Sequence, residues 1–84
     1  MPEIEVTVRH PEGLHARPAA RFVQTARRFH SRVRVLYGGR EADAKSLLSL
    51  LALGVEPEAV ITIQAEGEDA EEALAALEGV ATGQ

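Results

Sequence analysis

Eighty-four residues supply one modest core and leave no room for separate nucleotide and substrate domains, so any chemistry is either simple or shared with a partner. The absence of cysteine excludes disulfide frameworks, thiolate catalysis and cysteine-based zinc sites, and His10, His15 and His30 lack the close spacing of a metal cluster, so neither metal nor cofactor is expected. The net charge of −4 is unevenly placed: residues 1–45 hold all nine bases with five acids, residues 46–84 hold eight acids and no base, and this split speaks against nucleic acid and for an acidic protein partner meeting a local basic face.

No apolar run approaches the roughly 18 residues that a membrane span needs, and the start "MPEIEV" has the character of neither a signal nor a transit peptide. The expectation is a soluble, cytoplasmic chain with no membrane insertion, folded as one domain over residues 1–84. The first element is a half-buried strand, because "EIEVTV" puts Ile4, Val6 and Val8 on one face. Residues 16–29 follow at helical spacing, with Ala19, Phe22, Val23, Ala26 and Phe29 as the apolar stripe. "RVRVLYGGREADA" reads as a hairpin, since a two-residue turn of type I′ wants positive φ at both central positions and Gly38 and Gly39 supply it. "SLLSLLALG" predicts a short helix between a Ser46 N-cap and a Gly54 stop. "AVITIQAE" is a fourth strand, and Asp69 with Glu72 forms an approximate capping box for a last helix carrying Ala73, Leu74, Leu77 and Val80. The order βαββαβα, with Glu3, Glu5, Arg32 and Arg34 alternating with apolar neighbours, predicts a two-layer α+β sandwich with one wet sheet face. Periodicity leaves the strand order open.

The stretch "PEGLHARPAA" holds the chemistry. With His15 as N-cap, Ala16, Arg17 and Pro18 take the first three helical positions, where proline is tolerated because its missing N–H has no intrahelical partner. The free amides of Ala16 and Arg17, the positive end of the helix dipole and the Arg17 guanidinium then make a cradle for a phosphate beside the imidazole. The same positive surroundings disfavour imidazolium and predict a neutral, nucleophilic ring. A nucleophile adjoining a phosphate cradle points to phosphoryl transfer through a phosphohistidine. On spacing alone, the alternative is that His15 is an ordinary capping residue. His10 and His30 receive that plain structural reading, His30 favouring the negative end of the first helix.

Leucines 47, 48, 50, 51 and 53 encircle the short helix and cannot all face one sheet. Leu50 and Leu53 are assigned to the core and Leu47, Leu48 and Leu51 to an exposed docking patch; the alternative is simple overfilling of a small core. Arg17, Arg21, Gln24 and Arg28 lie along one face of the first helix, with Arg27 and Lys45 nearby, as a basic rim around that patch. No glycine-rich phosphate loop with lysine, no carboxylate pair for Mg²⁺ and no Ser-His-Asp arrangement is legible, so the chain reads as a carrier and not as an independent enzyme.

"GLHARPAA", "ADAKSLLSLLALG" and "ITIQAEGEDAEEAL" together resemble the histidine-containing phosphocarrier (HPr) family of the bacterial phosphoenolpyruvate-dependent sugar phosphotransferase system, over nearly the whole chain. The resemblance implies an HPr-like open-faced sandwich, an antiparallel sheet in the order 1-4-2-3 with three helices on one face. It implies that enzyme I donates a phosphoryl group to Nδ1 of His15, with Arg17 stabilising its charge, and that enzyme IIA domains receive it, the carrier working as a monomer. It further implies Ser46 as a regulatory site for HPr kinase/phosphorylase, acting on a transcriptional regulator; the alternative for Ser46 is the helix cap alone. Gln24 and Ser49 depart from the basic residues common in the family at those positions. Two other readings remain at this point: a purely regulatory relative working through Ser46, which the presence of His15 opposes, and a ferredoxin-like ligand-binding domain, which would need neither His15 nor the last helix.

Overall fold

A computed structural model describes residues 2–83. Seven elements follow in the expected order: β1 (Glu3–Thr7), α1 (Ala16–Ala26), β2 (Arg32–Tyr37), β3 (Arg40–Asp43), α2 (Leu47–Ala52), β4 (Val60–Glu66) and α3 (Ala70–Ala81). The strands form one antiparallel sheet in the order β1-β4-β2-β3. β4 thus occupies an inner position although it is last in the chain, and its inward residues Ile61, Ile63 and Ala65 are buried. Facing them, the helices contribute Phe22, Leu50, Leu74 and Leu77, all at or below 6% exposure. The opposite sheet face carries Glu3, Glu5, Arg32 and Arg34, all exposed, as the alternation predicts. The fold is the open-faced sandwich that the resemblance implied.

The hairpin turn forms as predicted. Gly38 and Gly39 adopt φ of +60° and +79°, and Tyr37 pairs with Arg40 directly across them. α2 also matches its signals, with Ser46 Oγ accepting from the Ser49 N–H at 3.3 Å and Gly54 at φ +66° just past its end.

One helix boundary and one helix cap differ from expectation. α1 stops at Ala26 instead of running to Phe29, because the chain tightens into turns there, with Arg28 N–H donating to Thr25 O and Phe29 N–H to Ala26 O. The groups freed by that early stop are taken by distant residues. Lys45 Nζ donates to the Phe29 carbonyl at 2.7 Å, and the N–H groups of His30 and Ser31 donate to Asp69 at 2.8 and 2.9 Å. Asp69 therefore occupies the N-cap position of α3 without capping it: its carboxylate is turned away to the α1–β2 loop, where it also accepts from the buried Ser31 hydroxyl. These contacts, Ser31 Oγ first and the His30 amide next, hold its pKa down at about 2.

Candidate phosphorylation site

The segment leading into α1 is held from below. Leu14 is fully buried and its N–H donates to the Val55 carbonyl at 3.1 Å, while Gly13 N–H closes a turn onto His10 O at 3.0 Å. Gly13 sits at φ +69°, and a Cβ there would lie 2.2 Å from Val55 O, so only glycine lets this turn press against the loop after α2. On the other side Pro18 and Ala19 are buried under α1. Two anchored flanks leave His15, Ala16 and Arg17 as an exposed ridge between them.

His15 takes the N-cap position with extended backbone, φ −124° and ψ 161°, and its ring makes no capping hydrogen bond. It is thus an exposed side chain that does no work for the helix it precedes. Ala16 has φ +50°, a left-handed conformation that costs a non-glycine residue roughly 1–2 kcal/mol. Sequence reasoning treated Ala16 as an ordinary first helical residue, and nothing in an alanine signals this conformation. Burial of Leu14 and Pro18 on either side holds it. Three surface grooves are lined by residues of the sheet, of the turns after β2 and β3 and of α3, and none includes His15 or Arg17. His15 thus stands on open surface, outside these grooves.

The basic rim lies where helical spacing put it, with Arg17, Arg21, Gln24, Arg27 and Arg28 all exposed. Arg27 also has a structural task, since its Nε donates to the Lys45 carbonyl at 3.1 Å. The Lys45 ammonium, expected beside Ser46, is already given to Phe29 O. On α2, Leu50 and Leu53 are buried at 0% and 4%, whereas Leu47 and Leu48 are 39% and 81% exposed and Leu51 is half-buried. The Arg27–Lys45 contact sets the start of α2 against the end of α1, and the Leu14–Val55 contact sets the loop after α2 against the start of α1. Ser46 and His15 are therefore brought to opposite ends of α1, whose 11 residues span roughly 16 Å. Sequence reasoning also missed Arg40, whose Nη2 donates to the Leu53 carbonyl at 2.8 Å and closes the end of α2.

Among the described residues no group of three or more His, Cys, Asp or Glu could hold a metal ion, and no helix is long and apolar enough to cross a membrane. A four-stranded antiparallel sheet backed by three helices, with His15 exposed at the entrance of α1 next to a basic, leucine-edged face, defines a class of small α+β sandwich domains. The comparisons place it within that class. The family model for the phosphotransferase-system HPr component phosphorylation site matches residues 2–82. The phosphocarrier protein HPr of Buchnera aphidicola subsp. Acyrthosiphon pisum is 41% identical over 93% of this chain and 92% of that protein. The multiphosphoryl transfer protein of Xanthomonas campestris pv. campestris is 49% identical over 90% of this chain, which spans only 9% of that much longer relative. The crystal structure of HPr-C-His from Thermoanaerobacter tengcongensis superposes with a TM-score of 0.95 at 40% identity, covering 100% of this chain and 98% of that one. The chain belongs to the HPr family of phosphotransferase-system phosphocarriers.

Proposed function

We propose that this chain, as a single monomeric domain of the cytoplasm, accepts a phosphoryl group on His15 from phosphorylated enzyme I and passes it to enzyme IIA domains. The observation that carries the reading is an exposed His15 with no capping bond at the entrance of α1, next to Arg17, in a chain of this family. In the transfer a ring nitrogen of His15 gives its lone pair to phosphorus, the bond from phosphorus to the donor breaks, and the donor group keeps that electron pair. Arg17 is positioned by sequence to meet the phosphoryl oxygens, where a charge-assisted hydrogen bond strengthens as the group moves. The return step to an enzyme IIA domain runs the same bonds in reverse and frees the histidine. The chain is a stoichiometric carrier and supplies no enzyme activity of its own. Arg21, Arg27, Lys45, Leu47, Leu48 and Leu51 form the docking surface, a basic rim beside an apolar centre.

Ser46 is the second element of the reading. Its hydroxyl makes one long cap contact at 3.3 Å, so HPr kinase/phosphorylase can modify it with little loss to the helix, and the modified form would address a transcriptional regulator.

Mass spectrometry after incubation with enzyme I and phosphoenolpyruvate tests the central claim. The expected product carries one acid-labile phosphoryl group, absent in His15→Ala and formed more slowly in Arg17→Ala. Because His15 makes no capping bond, its replacement should cost less than about 1 kcal/mol of stability. Acceptance by His15→Ala at the wild-type rate would overturn the mechanism.

A further inference from the structure

The chain between the end of β1 and His15 is tied both to the α2–β4 connection and to the end of α3. Val8 N–H donates to Ala59 O and Val8 O accepts from the Glu58 N–H, both at 2.9 Å. Arg9 N–H donates to Ala81 O at 2.9 Å and Leu14 N–H to Val55 O at 3.1 Å. Two side chains add to these backbone contacts: Arg9 Nη1 donates to Glu58 Oε1 at 2.7 Å, and His10 Nε2 lies 2.6 Å from the carbonyl oxygen of Val80. A carbonyl can only accept, so Nε2 carries a proton and donates it, which leaves Nδ1 as the free position of the neutral ring. Val80 belongs to the last turn of α3, and its carbonyl already accepts the Gly83 N–H at 3.2 Å. His10 adds a second, shorter bond to that oxygen from outside the helix, 70 residues away in sequence.

We propose that His10 is a positioning residue for His15. Its ring fastens the turn of residues 10–13 to α3, so that the ridge from which His15 projects has one orientation when the phosphoryl donor arrives. This rests on His15 carrying the phosphoryl group, as proposed above. The physical reason lies in what His15 lacks: without a capping bond, the ring's place in space is set by the backbone on either side of it. On the C-terminal side that backbone is the buried start of α1. On the N-terminal side it is the turn whose first carbonyl, His10 O, receives the Gly13 N–H at 3.0 Å. Removing the His10 ring leaves the link to α3 resting on the single Arg9 N–H.

The test follows phosphoryl transfer from enzyme I and phosphoenolpyruvate to the wild-type chain, His10→Ala and His10→Gln across a range of carrier concentrations. Melting curves ensure that all three are fully folded at the assay temperature. His10→Ala should lower the maximal rate about tenfold, the scale of a small misplacement of a reacting group, and leave the half-saturating concentration within about twofold, since the docking residues are untouched. His10→Gln should recover most of the rate, because its side-chain amide can still donate to Val80 O. Amide hydrogen exchange at Gly13 and Leu14 reads the same fastening with no donor present, and should be about tenfold faster in His10→Ala and restored in His10→Gln. A wild-type maximal rate in His10→Ala, or a fall that His10→Gln does not restore, overturns the proposal. Should the wild-type chain itself take no phosphoryl group, the carrier reading fails, and the exchange rates still decide whether His10 fastens the turn.

Discussion

Replacing Gly13 by alanine strikes the support of the site without touching His15. Two costs add. An alanine at φ +69° bears the left-handed penalty of roughly 1–2 kcal/mol. Its Cβ would stand 2.2 Å from Val55 O and 2.9 Å from the Glu56 carbonyl carbon, both backbone atoms, where ordinary contact needs at least 3.4 Å. The two segments must separate by more than 1 Å, and Val55 O is the acceptor of the Leu14 N–H at 3.1 Å. Leu14 is fully buried, so losing that acceptor leaves a buried donor unpaired at about 1–3 kcal/mol. The sum is roughly 2–5 kcal/mol, a large share of the total stability of a domain this size. At about 4–8 °C per kcal/mol, the midpoint of thermal unfolding should fall by roughly 10–40 °C. Circular dichroism melts of the wild type, Gly13→Ala and Gly79→Ala read the effect. Gly79 is the internal control: it lies inside α3 with open space where a Cβ would go, so alanine there should stabilise by about 0.5–1 kcal/mol. A midpoint lowered by less than about 5 °C in Gly13→Ala would refute the packing argument for this turn.

Asp69→Asn probes the contact between the α1–β2 loop and α3. The carboxyl pKa falls from 3.8 to about 2 on folding, so its contribution is fully present above about pH 4 and is lost as pH falls towards 2. Urea unfolding across that window should show the variant less stable than the wild type at pH 7 and the gap closing between pH 4 and pH 2; a gap constant with pH would show that the charge of Asp69 is not the cause. Ser46→Asp should fold as well as the wild type, because aspartate is an equal N-cap, yet raise the half-saturating concentration for transfer from enzyme I about three- to tenfold by placing like charge where an acidic partner docks. The maximal rate should change little, and an unaltered half-saturating concentration would remove the α2 patch from the docking surface.

The elements of this protein were legible wherever a local rule governs them. Alternation placed the strands, a glycine pair the hairpin turn, and Ser46 and Gly54 the limits of α2, because each of these is decided by residues within one turn of one another. The place of His15 was legible for the same reason: glycine, histidine, arginine and proline at fixed spacing describe the entrance of a helix, whereas the role proposed for that histidine leaned on family resemblance. The sheet order had to be supplied by family resemblance, since nothing in the pattern of β4 tells it to lie between β1 and β2. What Asp69 binds and what takes the polar groups flanking α1 were settled by residues remote in sequence: the His30–Ser31 pair, Lys45 and Val55. In these places an amide or carbonyl outside any helix or sheet ladder found its partner on another element. Local propensity sets what a segment prefers, while the obligation to satisfy every buried polar group is met only once the segments have met. His10 falls on that side too, because its ring finds its acceptor at the far end of the chain.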